Sequence, residues 1–443
     1  MSAQVTAKRA MPVGYLPHDR PPLAAMITFG LQHVLTMFPA TVLVALLTRF
    51  DVGVTLFASG LATVVALLGS GMRIPLYYGS SFSYIAAVVA IVGAQWGGTR
   101  VAQGGIVVTA FVSIIAGLLI KRAGKALDKV LPPIITGSMA IVIGISLAKA
   151  ALDMAASHWG VALFTLLMTV FFSVYLRGKG LFSMIPVLLG ALCGYIVAVL
   201  LGLVNYAPVV EAAWVRLPAF SAPIFKWEAI LAIAPIAIAT IPESTAHLYQ
   251  ISLYVDRLAD DLGRQPLGIK NLIGLNLILD GIGDGINGLL GGCAGTNYGE
   301  NNSLMAITRN YSCPVLVTAG VIAMLLGFIG KLAAVVQTLP TAVTGGLAVF
   351  LFGIIGLQGV ALIQSEKVDL FDPKQLAIGA VILVVGIGGS VFPGGNLPVL
   401  LPGGLPSIAT SALLGIVLNA IFLIFPPQAG TSEEETHVHL DRG

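Results

Sequence analysis

Charge is what this chain has least of. Of its 443 residues only 10% are charged, against 57% hydrophobic, and the mean hydropathy is +0.95. A soluble domain carries about 25% charged residues, so a wetted globular surface cannot be built from this composition. Cysteine is nearly as scarce, with only Cys193, Cys293 and Cys313 present. Each falls in or beside an apolar segment without metal-type spacing, which excludes a disulfide framework and a cysteine cluster site. A block of one charge is also lacking. The net charge of +3 is scattered among short loops, and a nucleic-acid partner needs a basic patch or stripe. No cleavable leader is expected either, because the polar start through Arg20-Pro21-Pro22 runs directly into an apolar stretch.

What the chain has instead is apolar runs punctuated by glycine. A bilayer span needs roughly 20 apolar residues, or about 17–25 with tilt. On that ruler a first set lies near Ala24–Leu47, Val52–Gly69, Ile74–Val92, Ala102–Ile120, Pro133–Leu147, Trp159–Leu176 and Leu181–Val204. A second set lies near Ile230–Leu253, Leu272–Leu290, Gly292–Ile307, Pro314–Ile329, Ala342–Ile363, Leu376–Phe392 and Ser407–Phe425. The expected fold is all-α and integral to a membrane, fourteen segments in two sets of seven. The 52 glycines suit close helix approach. An odd number of spans per set turns the second set over, which makes an inverted repeat. Residues 1–22 are expected to be a cytoplasmic N-terminal segment and 23–204 the first repeat. Residues 205–228 read as an extracellular or periplasmic loop, 229–427 as the second repeat and 428–443 as a disordered cytoplasmic tail. With both termini in the cytoplasm, only Arg49, Arg100, Lys149, Arg216, Lys226 and Lys331 of the 23 basic residues fall on the far side.

The third and tenth segments are poor spans. One is broken by Tyr78-Gly79-Ser80-Ser81-Phe82-Ser83-Tyr84 and the other by the polar run from Gly291 to Ser303. Non-helical backbone cannot face lipid, where its polar groups would lack partners. Two such pieces in corresponding positions of two halves point to a transport site near the midplane. Gly79-Ser80-Ser81-Phe82 and Gly295-Thr296-Asn297-Tyr298 share one order: glycine, two small polar residues, an aromatic. Phe82 or Tyr298 can stack on a flat ligand there, with Ser81 as a polar neighbour. Tight helix packing is the bland alternative.

Several acids lie in apolar surroundings. Glu300 stands where a half-helix would begin, so its place favours an acceptor at the positive helix end, or simply stabilises that helix. Glu243 and His247 are four apart on one helix face. A charge at the bilayer centre costs at least ~2.5–3.5 kcal/mol, so a working pair is expected, with a strut between two helices as the alternative. Asp280 and Asp284 line the route, brace the core, or end near water. Gln32 and His33 serve gating or sit as satisfied structural groups. No nucleophile motif, metal spacing or cofactor loop accompanies these acids, so neither an enzyme nor a metal or cofactor site is expected.

These residues resemble one family, the nucleobase–ascorbate transporters, and within it the bacterial uracil permeases. The resemblance runs from Pro21-Pro22 to about Phe425. Tyr298-Gly299-Glu300-Asn301, followed by Met305-Ala306-Ile307-Thr308-Arg309, carries it most specifically, together with Glu243 and His247. Gln32-His33, Leu131-Pro132-Pro133 and Gly345-Gly346 match as well. The chain departs from it at Asn302-Ser303, where uracil permeases usually read isoleucine and glycine, and at Phe352, where a tyrosine is common.

The resemblance implies a core and a gate domain, with the third and tenth segments pairing as short strands before their half-helices. It implies that Glu243 and Glu300 hydrogen-bond a base, while the backbone amides of Phe82 and Gly299 meet its carbonyls. His247 then belongs with Glu243 in proton coupling. Gln32, His33, Asp280, Asp284 and Asn301 are left as candidates for gating or for support of these groups. A homodimer in the bacterial inner or plasma membrane is implied too. The expected function is proton-coupled symport of a nucleobase, uracil, into the cell by alternating access. A purine permease for xanthine, urate or guanine is the alternative, since Asp280-Gly281 is shared with such members, although they usually carry glutamine in place of Glu300. An anion exchanger of the same fold fits less well, because Glu300 would repel its cargo.

Overall fold

The computed structural model describes residues 14–94, 97–123, 132–176, 182, 185–398 and 404–426. The expected tail at 428–443 and the first thirteen residues lie outside them. The chain enters as α1 (Leu23–Thr48) and turns at Arg49, which is left-handed. It restarts at Asp51, whose carboxylate accepts from the Val54 N–H at 2.9 Å and caps α2 (Val52–Gly69). Strand β1 (Tyr78–Ser80), a single 3-10 turn and α3 (Ile85–Gly93) form the first broken segment. After it come α4 (Thr99–Ala123), α5 (Pro133–Ser146), α6 (Ala148–Ala155), α7 (Trp159–Tyr175), α8 (Pro186–Leu200) and the short α9 (Ala207–Glu211).

The rest of the chain holds a second broken segment. α10 (Trp227–Ile233) and α11 (Ile236–Asp261) lead to α12 (Ile273–Leu290). Strand β2 (Gly295–Asn297) and α13 (Gly299–Thr308) form the second broken segment. α14 (Cys313–Leu326), α15 (Gly330–Gln337), α16 (Thr341–Ser365) and α17 (Pro373–Leu383) follow. A π turn, the short hairpin β3 (Asn396–Leu397) and β4 (Leu405–Pro406), and α18 (Ser407–Ile424) complete the order. Among the described residues, seven helical stretches are long and apolar enough to cross a membrane. The protein is a multi-pass membrane protein.

Some boundaries differ from those expected. The eighth span outruns Ile230–Leu253, because Pro235 only separates α10 from α11, and α11 continues to Asp261. Its last turns leave the apolar layer, where Arg257, Asp260 and Asp261 are exposed. Pro242 sits inside α11 and removes the bond that residue 242 would have donated to Ile238, which loosens the helix beside Glu243. Helices α6, α9 and α15 and the β3–β4 hairpin occupy stretches that periodicity left as connections.

The helices pack in two groups. In one, α4 lies along α12, α2 along α14, and α1 against α14, with α3, α11 and α13 inside the group. In the other, α16 packs on α5, α6 and α7, α7 on α8, and α17 on α18. α11 touches α5 and α18 across the seam. Glycine sets the spacing: a Cβ on Gly320 of α14 would come within 2.8 Å of the Gly60 carbonyl oxygen of α2. Gly320→Leu should therefore destabilise the purified protein by about 1–3 kcal/mol, the usual cost of overpacking. A thermal unfolding series in detergent checks this, with Gly353→Ala, which meets nothing within 4 Å, expected to unfold at the wild-type temperature or slightly above.

Candidate functional site

The site is assembled by the two broken segments. β1 and β2 pair antiparallel, with Tyr78 opposite Asn297, Gly79 opposite Thr296 and Ser80 opposite Gly295. Flanking bonds from Ser81 N to Ala294 O and from Tyr298 N to Tyr77 O, both 2.9 Å, lengthen the ladder. The outer edges are satisfied by side chains. Ser59 Oγ and Thr63 Oγ1 of α2 donate to the Tyr78 carbonyl at 2.7 and 3.1 Å, while Asp284 of α12 accepts from the Gly295 N–H at 2.8 Å. Because the strands are antiparallel, α3 and α13 leave the pair in opposite directions, with both N-terminal ends at the centre. Phe82 and Gly299 open their helices, where N–H groups have no intrahelical partner.

Two acids converge there from different elements. Glu243, on α11, accepts from Ser83 Oγ at 3.3 Å. Glu300 sits in the first turn of α13, next to Gly299, which packs against α11 one turn from Glu243. His247 lies one turn beyond Glu243. Its Nε2 is packed so close to Gly299 that an added Cβ there would lie 2.9 Å away. Phe82 meets Phe352 of α16 edge-on, ring centres 5.5 Å apart, across the seam between the helix groups.

Other expected residues turn inward instead. Tyr298 lies across Gly79, where any side chain would strike its ring, and its hydroxyl bonds both Thr41 and the Ser80 carbonyl at 3.0 Å. It braces the strand pair, so Phe82 is the aromatic left beside the acids. Ser81 is fully buried and its Oγ accepts from the Ser83 N–H, capping the 3-10 turn rather than facing a ligand. Asp280 is held by Ser244, Asn276 and Asn297, a polar knot joining α11, α12 and β2. Asp284 accepts from both the Tyr78 hydroxyl and the Gly295 amide, each at 2.8 Å. Of the three roles open to these aspartates, bracing is the one their contacts describe. His33 Nδ1 meets Asn301 Nδ2 at 3.0 Å, tying α1 to α13, with Gln32 adjacent on α1. Ser83, Asn276 and Tyr78 were not singled out by sequence pattern. The only hint of Asn276 was its spacing, one turn before Asp280.

Two cavities of about 290 Å³ each lie beside the broken segments, one lined by Ser83 and the other by Glu300. One is lined by Ser83, Lys149, Asp153 and Ser407 and lies at the end where α5 finishes. The other is lined by Glu300, Ser303, Thr36, Ser173 and Gln358 and lies where α7 finishes.

Two broken segments paired in the interior of a multi-pass membrane protein define the class: a transporter. The Permease family model matches residues 24–395, and the chain belongs to that family. It is a permease and not an enzyme. Its sequence is 39% identical to the uracil permease of Bacillus caldolyticus over 442 residues, covering 95% of this chain and 98% of that one. It is 33% identical to the uracil permease of Bacillus subtilis (strain 168), over 95% of this chain and 98% of that one. Against the uracil permease of Escherichia coli (strain K12) the identity is 35%, over 91% and 92% of the two chains. The same fold is found in the transmembrane domain of a cyanobacterium bicarbonate transporter, BicA, at TM-score 0.54 and 16% identity, covering 90% of this chain and 97% of that one.

Removing the acceptor of Asp284 should loosen the strand pair. Asp284→Leu leaves a buried amide and a buried hydroxyl without their partner, about 1–3 kcal/mol for each such group. Tyr78→Phe alone should cost less, and the double variant should cost less than the sum of the singles. Thermal unfolding of the four proteins measures that coupling, and strictly additive shifts would contradict it.

Proposed function

We propose that this permease takes up a nucleobase, uracil, together with a proton. The observation that carries the reading is the meeting of continuous α11 with the tip of α13, where His247, one turn from Glu243, packs against Gly299, next to Glu300. The uracil permeases at 33–39% identity supply the substrate. Uracil presents two N–H donors and two carbonyl acceptors in one plane. Carboxylates accept from the donors, and the helix-start amides of Phe82 and Gly299 suit the carbonyls. Phe82 supplies a ring beside them.

In this reading Glu300, at the positive end of α13, stays ionised and accepts from the base. Glu243 takes up the coupled proton, with His247 one turn away as its relay. One proton moving down a membrane potential brings ~2.3 kcal/mol per 100 mV, enough to concentrate a neutral base. The fourteen expected segments form two inverted repeats of seven, 23–204 and 229–427. The helices that carry the strand pair form the core and those around α16 the gate. Rocking between them opens the two cavities in turn. Both termini lie in the cytoplasm of a cell whose plasma membrane holds the protein as a homodimer.

Two variants separate binding from coupling. Glu300→Ala should weaken uracil binding at least ~10-fold, since a hydrogen bond to a charged group is worth about 1.5–3 kcal/mol. Unchanged binding by calorimetry would remove Glu300 from the site. Glu243→Gln should still bind uracil but lose accumulation driven by acid outside reconstituted vesicles. Wild-type uptake that ignores an imposed pH gradient would end the symport reading. Competition by a panel of bases tests uracil against the purines.

A further inference from the structure

One face of α11 carries polar side chains that continue beyond the site. Glu243, His247, Gln250 and Tyr254 follow at spacings of four, three and four, which places them on a single helical stripe. Asn302, on α13, lies against this stripe. Its amide donates to the His247 carbonyl oxygen at 3.1 Å and to Gln250 Oε1 at 3.3 Å, and Gln250 Nε2 donates to the Tyr254 hydroxyl at 3.3 Å. One turn beyond Tyr254, Leu258 packs against the segment before Tyr15, where a Cβ on Gly14 would lie 2.7 Å from it. That is the face where Tyr15 bonds both sides of Asn310, through Arg309 O and Tyr311 N.

Burial declines along the line. Asn302 is fully buried, whereas Gln250 and Tyr254 are partly exposed. At the buried end two acceptors have no protein partner, Asn302 Oδ1 and His247 Nδ1. Buried polar atoms in native proteins are paired, with ordered water where side chains do not reach. An apolar residue at position 302 would have been cheaper to bury. The ionisable groups gathered at this end are Glu243, Glu300 on α13, Asp280 on α12, and His33 through Asn301.

We infer that Asn302, Gln250 and Tyr254 order a file of water that carries the coupled proton from His247 to the face near Tyr15, apart from the path of the base. The inference rests on the symport reading. His247 reaches the Asn297 backbone through one ring nitrogen, which leaves Nδ1 to accept the proton that Glu243 releases. The imidazolium then gives that proton to water from Nδ1 and returns to neutral. Glu243 remains as a carboxylate, and no other bond changes. Amides do not ionise at any relevant pH, so Asn302 and Gln250 act as positioning residues for the water.

The test uses the full chain in vesicles that hold a pH-sensitive dye. Net proton entry is followed during uracil uptake, and uracil–uracil exchange reports movement of the base without net proton flow. The double variant Asn302→Ile, Gln250→Leu should bind and exchange uracil within twofold of wild type, which also shows that it is folded. Its proton entry and gradient-driven accumulation should fall at least tenfold. Asn302→Ser, which keeps a hydroxyl to hold water, should retain at least half of wild-type coupling. Wild-type coupling in the double variant overturns the path and leaves symport standing. If the double variant no longer binds, wild-type coupling in Gln250→Leu alone overturns it too. A wild-type protein that imports uracil with no proton defeats symport itself, and the path with it.

Discussion

Backbone that stops being helical inside a membrane protein must find its hydrogen bonds within the protein. This chain breaks two helices in its interior and lets the broken ends satisfy one another. Three residues from each make the β1–β2 ladder, too little to persist alone in water. Here the alternative is unpaired amides in an apolar interior, so the short ladder holds. Its outer edges are closed by hydroxyls of α2 on one side and by Asp284 of α12 on the other. α2 thus guards one strand and α12 the other.

From this pairing the functional geometry follows. Antiparallel strands that each continue into a helix must send those helices apart, with both positive ends left at the join. A planar ligand with carbonyls would find donors there from two directions. α11 is continuous through this region, yet Pro242 spares it one internal bond next to Glu243. It brings a carboxylate and an imidazole to the same join without needing a break of its own.

Much of this was legible in residues alone. Glycine-broken runs between apolar spans, and the shared order of Gly79–Phe82 and Gly295–Tyr298, marked the two segments that pair as β1 and β2. The acids at 243 and 300 declared themselves by their surroundings. Which face each aromatic takes was not legible. Tyr298 and Phe82 hold equivalent places in the two motifs, but Gly79 has no Cβ and admits the Tyr298 ring over β1. Phe82 instead meets Phe352, a contact between segments far apart in the chain. The knot of Ser244, Asn276, Asp280 and Asn297 was equally hidden, because three helices or strands must be placed before it exists. Boundaries failed where charge and proline misled: Pro235 bends the chain without ending the span.

The buried acids are told apart by what their oxygens already do. Asp284 accepts two bonds at 2.8 Å, and Asp280 is surrounded by a hydroxyl and two amides. Carboxylates so fully engaged hold structure, since a ligand would have to displace donors that have no other partner. Glu243 holds one long bond, from Ser83 at 3.3 Å. Among the described residues, no other side chain hydrogen-bonds Glu300. A carboxylate has room for about four donors. In the proposed reading, this remaining acceptor capacity is what a base with N–H groups would use. The unspent lone pairs, more than the acidity, set Glu243 and Glu300 apart from Asp280 and Asp284.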